Sequence, residues 1–173
     1  MKVSDDNSIN YEKLRDDNLD LGILAKGGIS LYFNMGVLDY DLKLLSEKRY
    51  NLIEFDGTFI TSAIELHFDL QQKLKFPGYY GRNFDALVDC LRDFKADENG
   101  TALIFRKLNA LNLKSLVHLL DIFSNCSRSE LVYGRKLIVL IQVDNKKFNI
   151  PEPIGSINFR LWNDKEWFES DRR

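Results

Sequence analysis

The sequence predicts an α/β protein in which helices cover a parallel sheet. Apolar segments of strand length at 51–55, 102–105 and 136–143 alternate with segments whose apolar residues have helical spacing. This alternation favours parallel pairing, because parallel strands need a long crossover that is usually a helix. With 173 residues, of which 45% are hydrophobic and 29% charged, the chain is large enough for a buried core.

The N-terminal part of the chain is predicted to add short elements before this sheet. Roughly the first 20 residues are polar and rich in aspartate, which predicts partial mobility. Residues 21–33 contain two apolar pieces on either side of Lys26-Gly27-Gly28, which predicts a turn between two short strands. Residues 39–48 have the composition of a short helix.

The central elements have clear boundaries. The strand at 51–55 is followed by Asp56-Gly57, and Thr61 or Ser62 is placed to cap the next helix. Ser62 and Glu65 have capping-box spacing, and Pro77 prevents this helix from continuing far beyond residue 74. Asn83 or a neighbour then begins a second helix, whose buried stripe is Ala86, Leu87, Cys90, Leu91 and Phe94.

The C-terminal half is predicted to complete the sheet. Asn99-Gly100 makes a turn into the strand at 102–105, a helix covers 111–123, and the strand at 136–143 follows. Pro151 and Pro153 mark an irregular connection, after which 157–162 alternates like an added edge strand. Trp167-Phe168 is predicted to anchor the C-terminus.

The second helix carries the most informative pattern. Asp85, Asp89, Asp93 and Asp97 recur every four residues. Like charges at this spacing repel by a few tenths of a kcal/mol per pair, a cost that a cationic partner would remove. Tyr79 and Tyr80 lie just before them, so acidic residues stand beside aromatic rings, as in hot spots that bind basic proteins.

Other features limit the classes of function. The net charge of -2 and the absence of a basic stripe argue against direct binding of nucleic acid. The N-terminus has no apolar signal-peptide run, and the longest apolar run, 137–141, is too short to cross a membrane. We therefore expect a cytoplasmic protein that does not bind membranes, with Cys90 and Cys126 as reduced thiols.

Residues 76–94, FPGYYGRNFDALVDCLRDF, resemble the signature of the barstar family, which inhibits the ribonuclease barnase. The similarity continues into 66–75 and to Asp56-Gly57, and extends more loosely over 52–142. It implies a small three-stranded parallel sheet with packed helices at 51–143, flanked by extensions at 1–50 and 144–173. Three roles are open for the extensions: widening the partner interface, adding an edge strand to the sheet, or forming a homodimer.

The resemblance implies a bacterial immunity protein that inhibits a cationic, secreted or delivered ribonuclease toxin. It implies no catalytic residue, no metal and no cofactor. Asp89 would mimic the scissile phosphate in the toxin's active site, Asp85 would add a second charge, and Tyr79 would cover the catalytic histidine. The partner-binding residues implied are Tyr79, Tyr80, Asn83, Phe84, Asp85, Ala86, Val88, Asp89, Asp93 and Phe94.

The chain departs from the family pattern around this centre. Val88 and Phe94 stand where tryptophans are found in the family, Asp93 replaces a glycine, and Arg82 replaces an acidic residue. The family also has an acidic residue on the later helix that serves as a peripheral contact. This chain has no clear counterpart to it, and Ser124-Asn125 lies near that position. Residues at the rim tune partner choice, so the cognate toxin need not be barnase.

Two other functions remain open from the sequence. A barstar-like fold could be a regulatory module for another basic protein, and the aspartates could hold a divalent metal in a hydrolase. The structural alternatives are simpler: a solvated acidic helix face, packed or surface positions for His67 and His118, and core positions for the tyrosines. We expect Tyr79 to be exposed and Tyr80 to be buried, with Gly78 and Gly81 serving the loop's backbone conformation.

Overall fold

A computed structural model describes residues 10–150, 153–155 and 160–167. Its elements alternate between helix and strand for most of the chain. In order they are α1 (Tyr11–Asp17), α2 (Leu19–Ala25), β1 (Ile29–Tyr32), α3 (Met35–Glu47), β2 (Asn51–Asp56), a 3-10 turn (Gly57–Phe59), α4 (Ala63–Lys73), α5 (Phe84–Asp93), β3 (Thr101–Arg106), α6 (Leu113–Val132), β4 (Leu137–Gln142) and α7 (Asp164–Trp167).

The strands form one parallel sheet in the order β1-β4-β3-β2. The predicted α/β class with a parallel sheet is confirmed, and the sheet has four strands where the family resemblance implied three. The fourth strand, β1, comes from the N-terminal segment and pairs with β4. An added edge strand was expected from one of the extensions, and the N-terminal segment supplies it.

Both faces of the sheet are covered, so the strands are buried on two sides. Side chains of β4 alternate between the faces: Leu137, Val139 and Ile141 pack with α4, α5 and α6, whereas Ile138 and Leu140 pack with α2 and α3. The α5 helix therefore lies on one outer layer of a three-layer protein. Its inner face is held by the core, and its outer face is left to solvent.

The first of the two strands predicted within 21–33 is wrong. Leu19–Ala25 is the helix α2, and the strand is Ile29–Tyr32. Short apolar runs do not distinguish a helix from a strand, and here the helix buries Leu19, Ile23 and Leu24 against the sheet. The predicted turn is confirmed at Gly27 and Gly28, where φ is positive; a Cβ on Gly28 would lie 2.1 Å from Ser127 Oγ.

Buried carboxylates attach the N-terminal helices to the sheet layer. Asp41 on α3 is fully buried and accepts hydrogen bonds from Arg15 Nη1 at 2.7 Å, Arg15 Nη2 at 2.5 Å and the Tyr32 hydroxyl at 2.9 Å. Asp20 on α2 accepts from Lys48, Lys136 and Tyr50 at 2.7, 2.9 and 3.0 Å. Each buried charge thus has cationic and hydroxyl partners, which compensates its loss of hydration.

The C-terminal residues cover the open edge of β1. The N–H of Leu31 donates to the Leu161 carbonyl at 2.7 Å, and Leu31 also forms a parallel bridge with Trp162. Residues 156–159 lie outside the described residues, so the strand predicted at 157–162 is described only at its end. Trp162 is buried and Trp167 packs against the core, whereas Phe168 lies outside the described residues.

Several helix boundaries differ from the sequence prediction. The α3 helix begins at Met35, four residues before the predicted start at 39. The α6 helix begins at Leu113 and continues to Val132, nine residues beyond the predicted end at 123. The α5 helix ends at Asp93, because Phe94 has an extended backbone, and Asp97 lies in the following loop. Cys90 and Cys126 are free thiols as predicted, and burial raises the pKa of Cys126 to about 12.

Candidate functional site

The loop between α4 and α5 is held to the core by Tyr80. This side chain is 5% exposed, and its hydroxyl lies 2.5 Å from Nδ1 of His67 on α4. His67 is itself buried, which lowers the pKa of its imidazole and favours the neutral ring. The Tyr80 ring also packs on Phe76, with the ring centroids 5.1 Å apart. The predicted burial of Tyr80 is confirmed, as is the helical position of His67.

Tyr79 points in the opposite direction and is 84% exposed, which confirms the second half of that prediction. The N–H of Tyr80 donates to the Pro77 carbonyl at 3.0 Å, closing a turn around Gly78 and Tyr79. Because this turn and the Tyr80 anchor fix its backbone, Tyr79 presents an aromatic ring to solvent on a constrained loop.

The loop's unusual backbone lies at residues other than the predicted glycines. Positive φ occurs at Lys75, with φ 54°, and at Arg82, with φ 50°, whereas neither Gly78 nor Gly81 has it. Arg82 is held by a hydrogen bond from its Nε to Gln71 Oε1 at 2.9 Å. The expectation that Gly78 and Gly81 supply a glycine-type conformation is therefore wrong, and the left-handed turns stand at the two ends of the loop.

Asn83 begins α5 as its N-cap. Its side-chain oxygen accepts a hydrogen bond from the Ala86 N–H at 2.8 Å, which satisfies one of the free donors at the helix start. Asp85 follows in the first turn, where the positive end of the helix dipole stabilises a carboxylate. The start of the helix and the direction of its first carboxylate are thus fixed by local sequence.

Asp85, Asp89 and Asp93 form one exposed face of α5, which we call the acidic face. Leu87 and Leu91 lie on the opposite side and are buried in the core. Because the core holds the inner side, the carboxylates are displayed on a rigid helix and not on a mobile loop. Helix neighbours four residues apart have Cβ atoms about 5–6 Å apart, so a single cationic cleft can contact two of them.

Asp97 does not extend the acidic face. It lies beyond the end of α5, and its Oδ2 accepts a hydrogen bond from Asn51 Nδ2 at 2.7 Å. Its N–H also donates to Thr101 Oγ1 at 3.0 Å. The predicted four-residue ladder is therefore wrong at its last member, because the helix ends one turn earlier and Asp97 serves the turn into β3.

The apolar residues predicted at the site form its half-buried border. They are Phe84, Ala86, Val88 and Phe94, all packed against the core cluster. Phe84 stacks on the exposed His118 of α6, with ring centroids 4.4 Å apart, and makes an edge contact with buried His67 at 4.9 Å. The border thus joins the acidic face to α6 and places His118 at its edge.

Arg92 is a neighbour of the acidic face that the sequence analysis missed. Its Nη1 donates to Asp89 Oδ1 at 3.0 Å, and both side chains are more than 70% exposed. The spacing of three residues on one helix was the available signal, because such pairs face each other. The central carboxylate of the acidic face is therefore already paired in the free protein.

The carboxyl end of a parallel strand is a position where α/β proteins often bind ligands, and at β1 a side chain of the protein itself occupies it. At the carboxyl end of β1, the N–H groups of Phe33 and Asn34 donate to the carboxylate of buried Glu166 at 3.2 and 2.6 Å.

Over the described ranges there is no cluster of three or more His, Cys, Asp or Glu side chains arranged for a metal ion. In those ranges no helix is long and apolar enough to cross a bilayer.

Comparison with known proteins gives a family match over the segment that contains the acidic face. The match is to the family described as barstar (barnase inhibitor), over residues 50–142. The chain is also similar to a Bacillus subtilis (strain 168) protein named "Putative ribonuclease inhibitor YrdF", with 56% identity over 39 residues. These cover 22% of this chain and 43% of that protein, so the chain matches less than half of the relative's length.

Solved structures extend the similarity of fold beyond the family segment. Cdc6p from Pyrobaculum aerophilum matches with a TM-score of 0.51 at 15% identity, covering 84% of this chain and 41% of the other. The Drosophila ORC bound to AT-rich DNA and Cdc6 matches with a TM-score of 0.52 at 14% identity, covering 90% and 50%. The TM-scores indicate a shared α/β arrangement. Because the sequence identities are low, this similarity concerns the fold alone, and function must be argued from the site.

Proposed function

The chain belongs to the barstar (barnase inhibitor) family, and we propose that it is an immunity protein that blocks the active site of a cationic ribonuclease toxin with its acidic face. The observation that carries this proposal is the exposure of Asp85 and Asp89 on a helix whose opposite side is fixed in the core. A ribonuclease active site holds phosphates with cationic side chains, so it can receive carboxylates in their place.

In this proposal Asp89 acts as the phosphate mimic and Asp85 provides the second charge. Tyr79 covers the toxin's catalytic histidine with its exposed ring, and Tyr80 acts indirectly by fixing the loop that carries Tyr79. Phe84, Ala86, Val88, Asp93 and Phe94 surround this centre, and the cap at Asn83 sets the start of the helix. The activity is stoichiometric binding, so it needs no catalytic residue and no cofactor.

The cellular setting belongs to the same proposal. An inhibitor of this kind protects the cytoplasm of a bacterium against its own secreted ribonuclease or against one delivered by a neighbour. We also propose the division implied by the resemblance, with a binding unit at 51–143 and extensions at 1–50 and 144–173. The similarity to the Bacillus subtilis protein named "Putative ribonuclease inhibitor YrdF" supports the bacterial part of this proposal.

The test is an inhibition titration with purified barnase-type ribonucleases, including barnase and any basic secreted protein encoded beside this chain's gene. We expect one of them to lose activity at a one-to-one ratio. Asp89→Ala should weaken that inhibition far more than Asp97→Ala, because Asp97 is committed to Asn51. Binding of a basic protein without ribonuclease activity would instead favour a regulatory module.

A further inference from the structure

A groove lies between α5 and α6, next to the acidic face. Its volume is about 360 Å³, within the range of sites that receive a side chain or small group. Part of its lining is apolar, with Val88 and Leu91 from α5 and Ile122 and Cys126 from α6. Two guanidinium groups, those of Arg92 and Arg135, also line it.

The two arginines differ in how their charge is balanced. Arg135 donates to both carboxylate oxygens of Glu130, at 2.7 and 2.8 Å, and Glu130 is a buried neighbour in the same groove. Arg92 is paired with Asp89, the residue that the proposed function assigns to the partner. Binding of a partner would therefore leave the Arg135 pair intact and take the counter-ion away from Arg92.

The Arg92–Asp89 pair is easy to displace. Both side chains are exposed, and exposed pairs at helical spacing contribute only a few tenths of a kcal/mol. Once Asp89 has entered a cationic cleft, however, Arg92 still lies less than one helical turn away. Its positive charge then faces a positively charged surface, which opposes binding unless the partner supplies an anion.

We propose that Arg92 is a specificity-determining residue that selects ribonucleases with a carboxylate beside their cationic cleft. This inference rests on the proposed function and deepens it. On binding, Arg92 exchanges Asp89 for that carboxylate, and the groove between α5 and α6 accommodates the partner's acidic side chain. The apolar wall formed by Val88 and Ile122 contacts its methylene stem. A partner whose rim is entirely cationic binds more weakly.

The inference predicts the sign of the effect of removing Arg92. If Arg92 only competed for Asp89, then Arg92→Ala would free this carboxylate and tighten binding. If Arg92 pairs with the partner, the same substitution weakens binding, by about tenfold for a charge pair at the edge of an interface. Arg92→Glu weakens it further, because it places two carboxylates opposite each other.

The experiment uses a ribonuclease from the titration above, made catalytically inactive, with each acidic residue near its cleft changed in turn to Ala. Dissociation constants are measured for wild type, Arg92→Ala and Arg92→Glu. Lys43→Ala is the matched control, because Lys43 is also an exposed helical cation, paired with Glu47 four residues later, and lies on α3 at the other side of the sheet. We expect one acidic residue of the ribonuclease to show non-additive coupling with Arg92 and none with Lys43.

Tighter or unchanged binding by Arg92→Ala, or the absence of any coupled acidic residue, would overturn this inference alone, provided that Asp89→Ala still weakens inhibition. If the wild-type protein inhibits none of the ribonucleases, or if Asp89→Ala inhibits as well as wild type, the proposed function fails and the role of Arg92 fails with it. Urea unfolding of each variant separates loss of binding from loss of folding.

Discussion

The aspartates of the acidic face and those of the N-terminal layer have the same side chain and opposite surroundings. Asp85, Asp89 and Asp93 are exposed on α5, and both side chains of the Asp89–Arg92 pair are largely open to solvent. Asp20 and Asp41 are buried among cations and tyrosine hydroxyls. A carboxylate that is buried and satisfied stabilises the fold, whereas one that is exposed and weakly paired remains available to a partner.

The largest effect that we expect is the loss of stability on removing Asp41, one of the two buried aspartates. Asp41→Ala should lower the free energy of unfolding by about 3–5 kcal/mol, because it leaves the Arg15 guanidinium and the Tyr32 hydroxyl without their acceptor. Urea unfolding measures this loss. Asp39→Ala is the matched control: Asp39 lies on the same helix with an exposed side chain, and its partner Arg106 keeps Glu54 as a second carboxylate, so stability should change by less than about 0.5 kcal/mol.

We expect removal of the exposed Asp89 to weaken binding while leaving the stability of the fold almost unchanged. Asp89→Ala should weaken ribonuclease binding by about 2–5 kcal/mol, because it leaves the toxin's cations buried without a counter-charge. Its free energy of unfolding should stay within about 0.5 kcal/mol of wild type, since only an exposed pair is lost. Calorimetric binding and urea unfolding test both halves, and a stability loss comparable to that of Asp41→Ala would erase the distinction.

The comparison also predicts a dependence on pH. Burial would by itself raise the pKa of Asp20, but hydrogen bonds from Lys48, Lys136 and Tyr50 outweigh it and hold this pKa below its ordinary value of 3.8. The unfolded chain then takes up the proton first, so the stability that Asp20 contributes is present above about pH 3.8 and is lost as the pH falls towards the folded-state pKa.

This loss should be smaller than that of Asp41→Ala, because protonation leaves the side chain in place. Unfolding free energies measured between about pH 2 and 6 should fall less steeply for Asp20→Asn than for wild type. Part of the slope should remain, because the pKa of Glu130 is also lowered, by Arg135 and the Ala96 N–H against the effect of burial. Parallel curves for the two proteins would show that Asp20 does not contribute.

The smallest effect concerns the loop that displays Tyr79. Tyr80→Phe removes the hydroxyl that contacts His67 Nδ1 and should cost about 1 kcal/mol of stability, because a buried ring nitrogen loses its partner. Tyr79→Phe is the matched control: its hydroxyl is exposed, so its removal should leave the unfolding free energy unchanged. Equal losses from the two substitutions would mean that Tyr80 does not anchor the loop.

Local patterns were sufficient where one element carried its own signal. Ser62 and Glu65 predicted the start of α4, and the structure shows the complete capping box. Asn83 predicted the start of α5, and Leu87 and Leu91 predicted its buried side. Each depends on residues within one or two helical turns, so no distant contact was needed to infer it.

Distant contacts decided the features that the sequence analysis missed. The sequence predicts a strand in residues 21–25, which belong to the helix α2, because the helical state depends on packing against a sheet formed by later residues. Asp97 was included in the acidic ladder, because its hydrogen bond to Asn51 joins residues that are 46 positions apart. Arg92 was overlooked because its role depends on which side of α5 is exposed beside α6.

The sequence by itself determined the α/β class, the family resemblance and the identity of the exposed acidic helix, because these follow from periodicity and from a contiguous motif. The tertiary structure alone decided which aspartates are buried, how the N-terminal strand completes the sheet, and which cation meets Asp89. The physical reason is that the role of a charge depends on its hydration and its partners. Both are set by residues distant in the chain that folding brings together.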